Sequence, residues 1–198
     1  MIPEILILSF LSIIILKLRY KEFRFNHMKL EIKGYIVLLI MAVIEITAQF
    51  LFKRYSDSTL LKILSMHWTI YFGLFIVSII NFDKPFMKLM FVGTLLNFIA
   101  IIFNDFKMPV YVSDILTDVE AKKMYLLSGQ DLIHSLLTED TKFKAFADII
   151  TLPPPYPFPK TISIGDIFLL LGFFVFWQNA YPYSTLHKKS AHKKSSEN

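Results

Sequence analysis

Apolar residues in this chain come in long runs separated by short polar links, the repeat of helices that cross a bilayer rather than of alternating strands. The first run covers residues 2–18, with Glu4 the one charge ahead of Lys17, Arg19, Lys21 and Arg24. A secretory signal peptide carries its basic residues on the opposite flank, so this segment is expected to remain as an anchor with its N-terminus outside. The second run, 36–52, is apolar from Ile36 to Ile44 and then takes in Glu45, Thr47 and Gln49; at helical rise it reaches about 25 Å, enough to span. Runs three and four, 66–80 and 86–103, are joined by a link at Asn81 to Pro85 short enough to make an antiparallel pair. A fifth run, 163–181, closes on Trp177 and Tyr181, which fit an aromatic belt. The expected fold is all-α, a polytopic membrane protein with five spans inside residues 1–183 and a basic, flexible tail at 184–198.

The loop between spans four and five, 104–161, is predicted to be ordered and to lie outside. Ser113-Asp114 ahead of Ile115, and Thr138-Glu139-Asp140 ahead of Phe143 and Phe146, read as starts of short helices. The segment Leu152 to Pro159 carries five prolines and is expected to run extended into the fifth span.

Composition sharpens the class. Of 198 residues, 55% are hydrophobic and 16% aromatic, and mean hydropathy is +0.52, which excludes a disordered chain or a solvent-exposed coiled coil. There is no cysteine, hence no disulfide, thiolate nucleophile or thiolate zinc site. No G-x-S-x-G, Walker loop or G-x-G-x-x-G occurs, so no cofactor is expected.

A net charge of +5 would suit nucleic acid, but the basic residues stand beside the apolar runs, which is a topology pattern. Twelve of 21 fall in the first link, the turn near Lys84 and Lys88, and the tail, while the long loop holds six Lys against eight acids. The expected topology is N-terminus out and C-terminus in. The tail lysines Lys188, Lys189, Lys193 and Lys194 then rest on anionic lipid, and no nucleic-acid partner is expected.

Few residues point to chemistry. Glu45 and Gln49 share a helix face and, with Asn97, form a candidate polar pathway inside the membrane, suited either to proton relay or to hydrogen bonds that fix packing. Asn97 and Asn104 fall on one face of the fourth span. Ser163 followed by Asp166 reads as a helix cap. His134, with Asp131 and Asp148 in the same loop, has the elements of a general base, but a single histidine without H-E-x-x-H predicts no metal site, and His187 and His192 stand in the tail.

Two stretches carry a family likeness: Asn104-Asp105-Phe106-Lys107-Met108-Pro109-Val110, and a series comprising His134, Thr138 to Thr141, Asp148-Ile149-Ile150, Leu152-Pro153 and Ser163-Ile164-Gly165-Asp166. Together they resemble a bacterial family of small multi-span membrane proteins of unknown function, found mainly in Gram-positive lineages, with N-x-x-[RK]-M-P-V and S-I-G-D signatures. Asp105-Phe106 stands where that family has two glycines, and Lys107 where it has arginine, which changes backbone freedom and removes a planar fork. The resemblance implies a bacterial cytoplasmic-membrane protein whose outer loop is the functional region, and it implies no reaction. Met108-Pro109 is expected to end the fourth helix, and Thr138, Thr141 and Asp166 to cap helices. Asn104, Lys107, His134 and Asp148 remain as a candidate outer polar pocket.

The leading expectation is therefore a non-catalytic membrane protein that binds an envelope protein, a peptide or a lipid headgroup through its outer loop. A small proton-coupled transporter using Glu45, Gln49 and Asn97, and an outer-face hydrolase using His134 and Asp148, are the alternatives.

Overall fold

In the computed structural model each long apolar run winds into a single helix, as expected when no proline falls beyond the first turn. The structure describes residues 1–20, 23–28, 31–55, 58–65 and 68–181, with Lys53 described by its backbone alone; the basic tail lies outside these residues. The helices are α1 (Ile2–Arg19), α2 (Tyr35–Arg54), α3 (Thr59–Leu64), α4 (Trp68–Ile80), α5 (Pro85–Ile102), α6 (Val119–Leu127) and α7 (Ile164–Ala180). Two of them, over Tyr35–Phe52 and Pro85–Ile102, are long and apolar enough to cross a membrane, whereas Trp68–Ile80 and Ile164–Ala180 are apolar but shorter. The first helix includes Glu4, Lys17 and Arg19.

The long helices pack in the row α2, α4, α5, α7, α1. The contact between α5 and α7 is close because glycines face each other: a Cβ on Gly93 would lie 2.5 Å from the Gly165 carbonyl oxygen, and one on Gly165 would lie 2.0 Å from Asn97 Oδ1. Polar clamps join α1 to α7, where Ser12 Oγ donates to the Phe174 carbonyl at 2.8 Å and Gln178 Nε2 donates to Ser12 Oγ at 2.8 Å. At the end away from the long loop, Asn81 Nδ2 donates to the Lys33 carbonyl at 2.8 Å and its Oδ1 accepts from the Lys33 N–H at 2.9 Å. The flanking helices keep uncovered apolar faces: Leu6, Phe10 and Leu18 on α1, and Leu39, Val43 and Phe50 on α2, are all exposed.

The loop over these helices departs from the all-α expectation, and the described residues are mostly helical with two small sheets. β1 (Met108–Val110) pairs in parallel with β2 (His134–Leu136), Met108 opposite His134. β3 (Ile150–Leu152) pairs antiparallel with β4 (Lys160–Ile162), Ile150 opposite Ile162. Four local expectations are corrected. The fourth helix stops at Ile102, before Met108-Pro109, which lie in a strand. Ser113 starts only a turn, closed by Leu116 N–H on its carbonyl at 3.1 Å, and the helix begins at Val119. Thr138 N–H donates to Thr141 Oγ1 at 2.8 Å, so these threonines close a loop instead of capping a helix; helical structure downstream is one 3-10 turn at Lys144–Phe146. The proline-rich stretch turns back as the β3–β4 connection, with Tyr156 N–H donating to the Pro153 carbonyl at 3.1 Å. Ser, Thr and Asp side chains serve turns as readily as helix caps, and pairing with a distant strand decided between them.

Candidate functional site

The cap is a backbone lattice that holds a few side chains over the ends of α4, α5 and α7. Pro109, unable to donate, accepts through its carbonyl from the Asp148 N–H at 2.9 Å, and the Asp148 carbonyl accepts from the Tyr111 N–H at 2.8 Å. Asp148 is thereby locked beside β1 as a one-residue third strand. Thr161 Oγ1 on β4 donates to the Tyr111 carbonyl at 2.9 Å, joining the second sheet to the first.

Beneath this lattice lies a cavity of about 800 Å³. Its floor is largely apolar, formed by Ile70 and Leu74 of α4, Ile101 of α5, and Leu169 and Phe173 of α7, with Tyr71 and Asp166 as its polar members. Its roof carries the convergent polar groups, Asp148, His134, Lys122, Lys160 and Thr161, set among apolar cap residues such as Val110, Leu126 and Ile162. Such a combination, mostly hydrophobic with a few convergent polar groups, is the usual make-up of a small-molecule site.

Asp148 is the outstanding group. Its side chain is buried, it receives no side-chain hydrogen bond among the described residues, and its Oδ1 is sealed from solvent without a partner. Burial, with the Asp166 carboxyl adding to it, pushes the Asp148 carboxyl up to about 8. Asp131, by contrast, is fully engaged. Burial favours its neutral form, but the His134 ring nitrogen Nδ1 at 3.1 Å and the backbone N–H groups of His134 and Ile133 at 2.9 and 2.8 Å hold it well below the usual carboxylate range.

Two polar knots support the site from the helices. In the first, Asn97 Nδ2 donates to Asp166 Oδ1 at 2.8 Å and to Tyr71 Oη at 3.2 Å, while Asn97 Oδ1 accepts from Ser163 Oγ at 2.8 Å. Ser163 and Asp166 complete a reciprocal capping box at the start of α7, as their spacing implies. In the second, on the cap side of the bundle, Glu4 accepts from Lys160 Nζ at 2.7 Å and from the Tyr156 hydroxyl, and lies 3.5 Å from the Met1 amine. This knot ties α1 to the β3–β4 hairpin.

The residues singled out in the sequence are thus distributed over several places. His134 and Asp148 both line the cavity. Lys107 lies to the side: its Nζ donates to the Asp131 and Gly129 carbonyls, and burial lowers its pKa against the opposing charge of Asp131. Asn104 clamps the loop, donating to the Lys142 carbonyl and accepting from the Lys142 N–H, both at 2.9 Å. Glu45 and Gln49 do meet, with Gln49 Nε2 donating to Glu45 Oε1 at 3.2 Å and Thr69 Oγ1 donating to Glu45 Oε2 at 3.2 Å. Asn97 belongs to a different knot, because α4 stands between α2 and α5 in the row. Sequence reasoning missed Glu4, Lys122 and Lys160; Glu4 alone left a signal, as an acid inside an apolar run. Among the described residues no group of three His, Cys, Asp or Glu side chains is placed to hold a metal.

Comparison with known proteins gives kinship without a reaction. The chain is 33% identical over 104 residues to an uncharacterized protein of Thermotoga maritima, a match covering 52% of this chain and spanning 57% of the relative. No solved structure matches. The profile of the family of unknown function DUF5317 matches residues 29–178, and the chain belongs to that family.

Proposed function

We propose that this is a bacterial cytoplasmic-membrane protein in which α1, α2, α4, α5 and α7 cross the bilayer, with the N-terminus and the cap outside and the tail inside against anionic lipid. The cavity beneath the cap then holds a single membrane amphiphile, its chain along the floor and its headgroup under the roof. The uncovered apolar faces of α1 and α2 support insertion, since soluble surfaces rarely leave such stretches open. The 13 residues of α4 reach about 20 Å, a shortfall that local thinning of the bilayer accommodates.

The observation that carries the binding role is the cavity itself, walled by largely apolar helix surface on one side and by a cap that brings most of its polar groups on the other. Among the binders considered from sequence, that shape favours a lipid over a protein or an extended peptide. The knot at Glu45 and Gln49 is closed on Thr69 and on the Ser65 carbonyl at 3.2 Å, which supports packing over a transport pathway. A hydrolase reading is favoured by one feature, the Asp131 carboxylate orienting the His134 ring at the cavity wall; retained turnover of a lipid ester after His134→Ala would eliminate it.

The test of binding is native mass spectrometry of protein released from nanodiscs. Leu74→Trp fills the floor and is expected to reduce the retained lipid at least tenfold, with the helical circular-dichroism signal unchanged. Equal retention by this variant and the parent would refute a cavity-bound amphiphile.

A further inference from the structure

We propose that the amphiphile taken by this cavity carries a primary ammonium in its headgroup, and that the Asp148 carboxylate is the group that pairs with it. This rests on the amphiphile reading above and narrows the chemical class of the ligand.

Most charged groups around the cavity already have partners. Lys160, on β4, is taken by Glu4 at 2.7 Å, and the Met1 amine also lies beside Glu4. Asp131 is taken by His134 at 3.1 Å, and Asp166, on α7, accepts from Asn97 and from the Ser163 backbone. The hydroxyl of Tyr71, on α4, accepts from Asn97, and Tyr125 brings a phenol from α6. Two charged lining groups are left over among the described residues: Asp148, whose side chain has no hydrogen bond, and Lys122, on α6, whose charge favours the Asp148 carboxylate from beyond ion-pair distance and which has no ion-pair partner. Both face one volume. A buried carboxyl oxygen without a donor is a costly arrangement that a ligand N–H relieves. A ligand ammonium does this while offsetting the mutual repulsion of Asp148 and Asp166. Lys122 then meets an anionic group on the same headgroup, so a phosphate linked to an aminoethyl arm matches both leftovers. A quaternary ammonium has charge but no N–H, and a glycerol headgroup has hydroxyls but no cation.

Binding in this way requires Asp148 to ionise. With its carboxyl raised to about 8, ammonium affinity is expected to grow about tenfold per pH unit between pH 6 and 7, as the proton on Asp148 is given up to solvent. His134, Asp131, Asp166, Lys122, Lys160 and the Met1 amine line the same cavity or its edge in parent and Asp148 variant alike, so a comparison isolates this one group.

The experiment uses the full chain in nanodiscs containing equal parts of phosphatidylethanolamine, phosphatidylcholine and phosphatidylglycerol, with retained lipid identified by native mass spectrometry at pH 6, 7 and 8. Retention of phosphatidylethanolamine at least tenfold over the other two at pH 8, falling toward pH 6, is expected. Asp148→Asn is expected to abolish that preference and its pH dependence, with folding verified by thermal melting. Lys122→Gln, which removes the cation from the cavity roof, is expected to weaken phosphatidylethanolamine and phosphatidylglycerol alike. Equal retention of the three lipids, lost in Leu74→Trp, would overturn the ammonium assignment and leave the amphiphile site standing. Retention untouched by Leu74→Trp would overturn both. In a separate arm, lipid-free protein in detergent is given O-phosphoethanolamine; binding as tight as that of the lipid would keep the ammonium pairing and overturn the lipid as its source.

Discussion

Replacing Asp148 with asparagine should stabilise the protein by an amount that grows from mild acid to mild base. In the fold this carboxyl ionises near 8, against 3.8 for the free group. Between those values the unfolded chain releases a proton that the folded chain keeps, so stability falls as pH rises, by up to about 1.4 kcal/mol per unit, and levels off above pH 8. Integrated over about four units, the penalty reaches about 6 kcal/mol as an upper figure, and about half of that where water or a nearby lysine shields the charge. Asparagine cannot ionise, but its buried amide lacks partners just as the acid does, at about 1–2 kcal/mol. The two uncharged groups thus cost about the same, and the variant is expected to melt within a few degrees of the parent at pH 5 and well above it at pH 8. For a chain of this size, about 2–4 °C per kcal/mol makes the swing about 5–15 °C. Differential scanning fluorimetry in detergent from pH 5 to 9 reads it directly. Parallel curves for the two proteins across that range would refute the reasoning, because they would mean that Asp148 is ionised in the fold and its surroundings are wet.

Three further outcomes test other parts of the structure. Gly165→Ala places a methyl 2.0 Å from Asn97 Oδ1 and is expected to destabilise by more than about 4 kcal/mol, abolishing a monodisperse peak in size-exclusion chromatography; a normal peak would show that α5 and α7 are not so close. Glu4→Gln removes the charge that pairs with Lys160 and should lower stability by about 1–3 kcal/mol while speeding tryptic cleavage after Lys160, whereas an unchanged digestion rate would separate α1 from the hairpin. Single cysteines at Ser128, on the cap, and at Ser190, in the tail, are expected to differ in intact cells, with a membrane-impermeant maleimide labelling Ser128→Cys alone. Labelling of Ser190→Cys alone would invert the proposed topology.

Helices were legible where one signal dominated. Uninterrupted apolar runs became α1, α2, α4, α5 and α7 to within a few residues, and Ser163 with Asp166 announced the start of α7 because a capping box is a local code. The cap was not legible. Its strands are three residues long, too short for a period, and β1 finds its partner at His134–Leu136, beyond an intervening helix. The candidate pocket was legible in part: His134 and Asp148 do line one cavity, but the floor, Lys122 and the Glu4 anchor depend on which helices are neighbours. The same dependence separates Asn97 from Glu45, two polar residues in apolar helices that belong to different knots.

The order of the row also fixes an order of events. Ser12 finds its partners at Phe174 and Gln178, and Glu4 finds its own at Tyr156 and Lys160, sequence separations of 152 to 166 residues. α1 is thus completed by segments that leave the ribosome long after it, and until they are made its serine and glutamate stand without these partners. Contacts of such range are slow to form, so the closing of α1 onto α7 and the β3–β4 hairpin is expected to be a late step of folding, the one at which the cap gains its anchor.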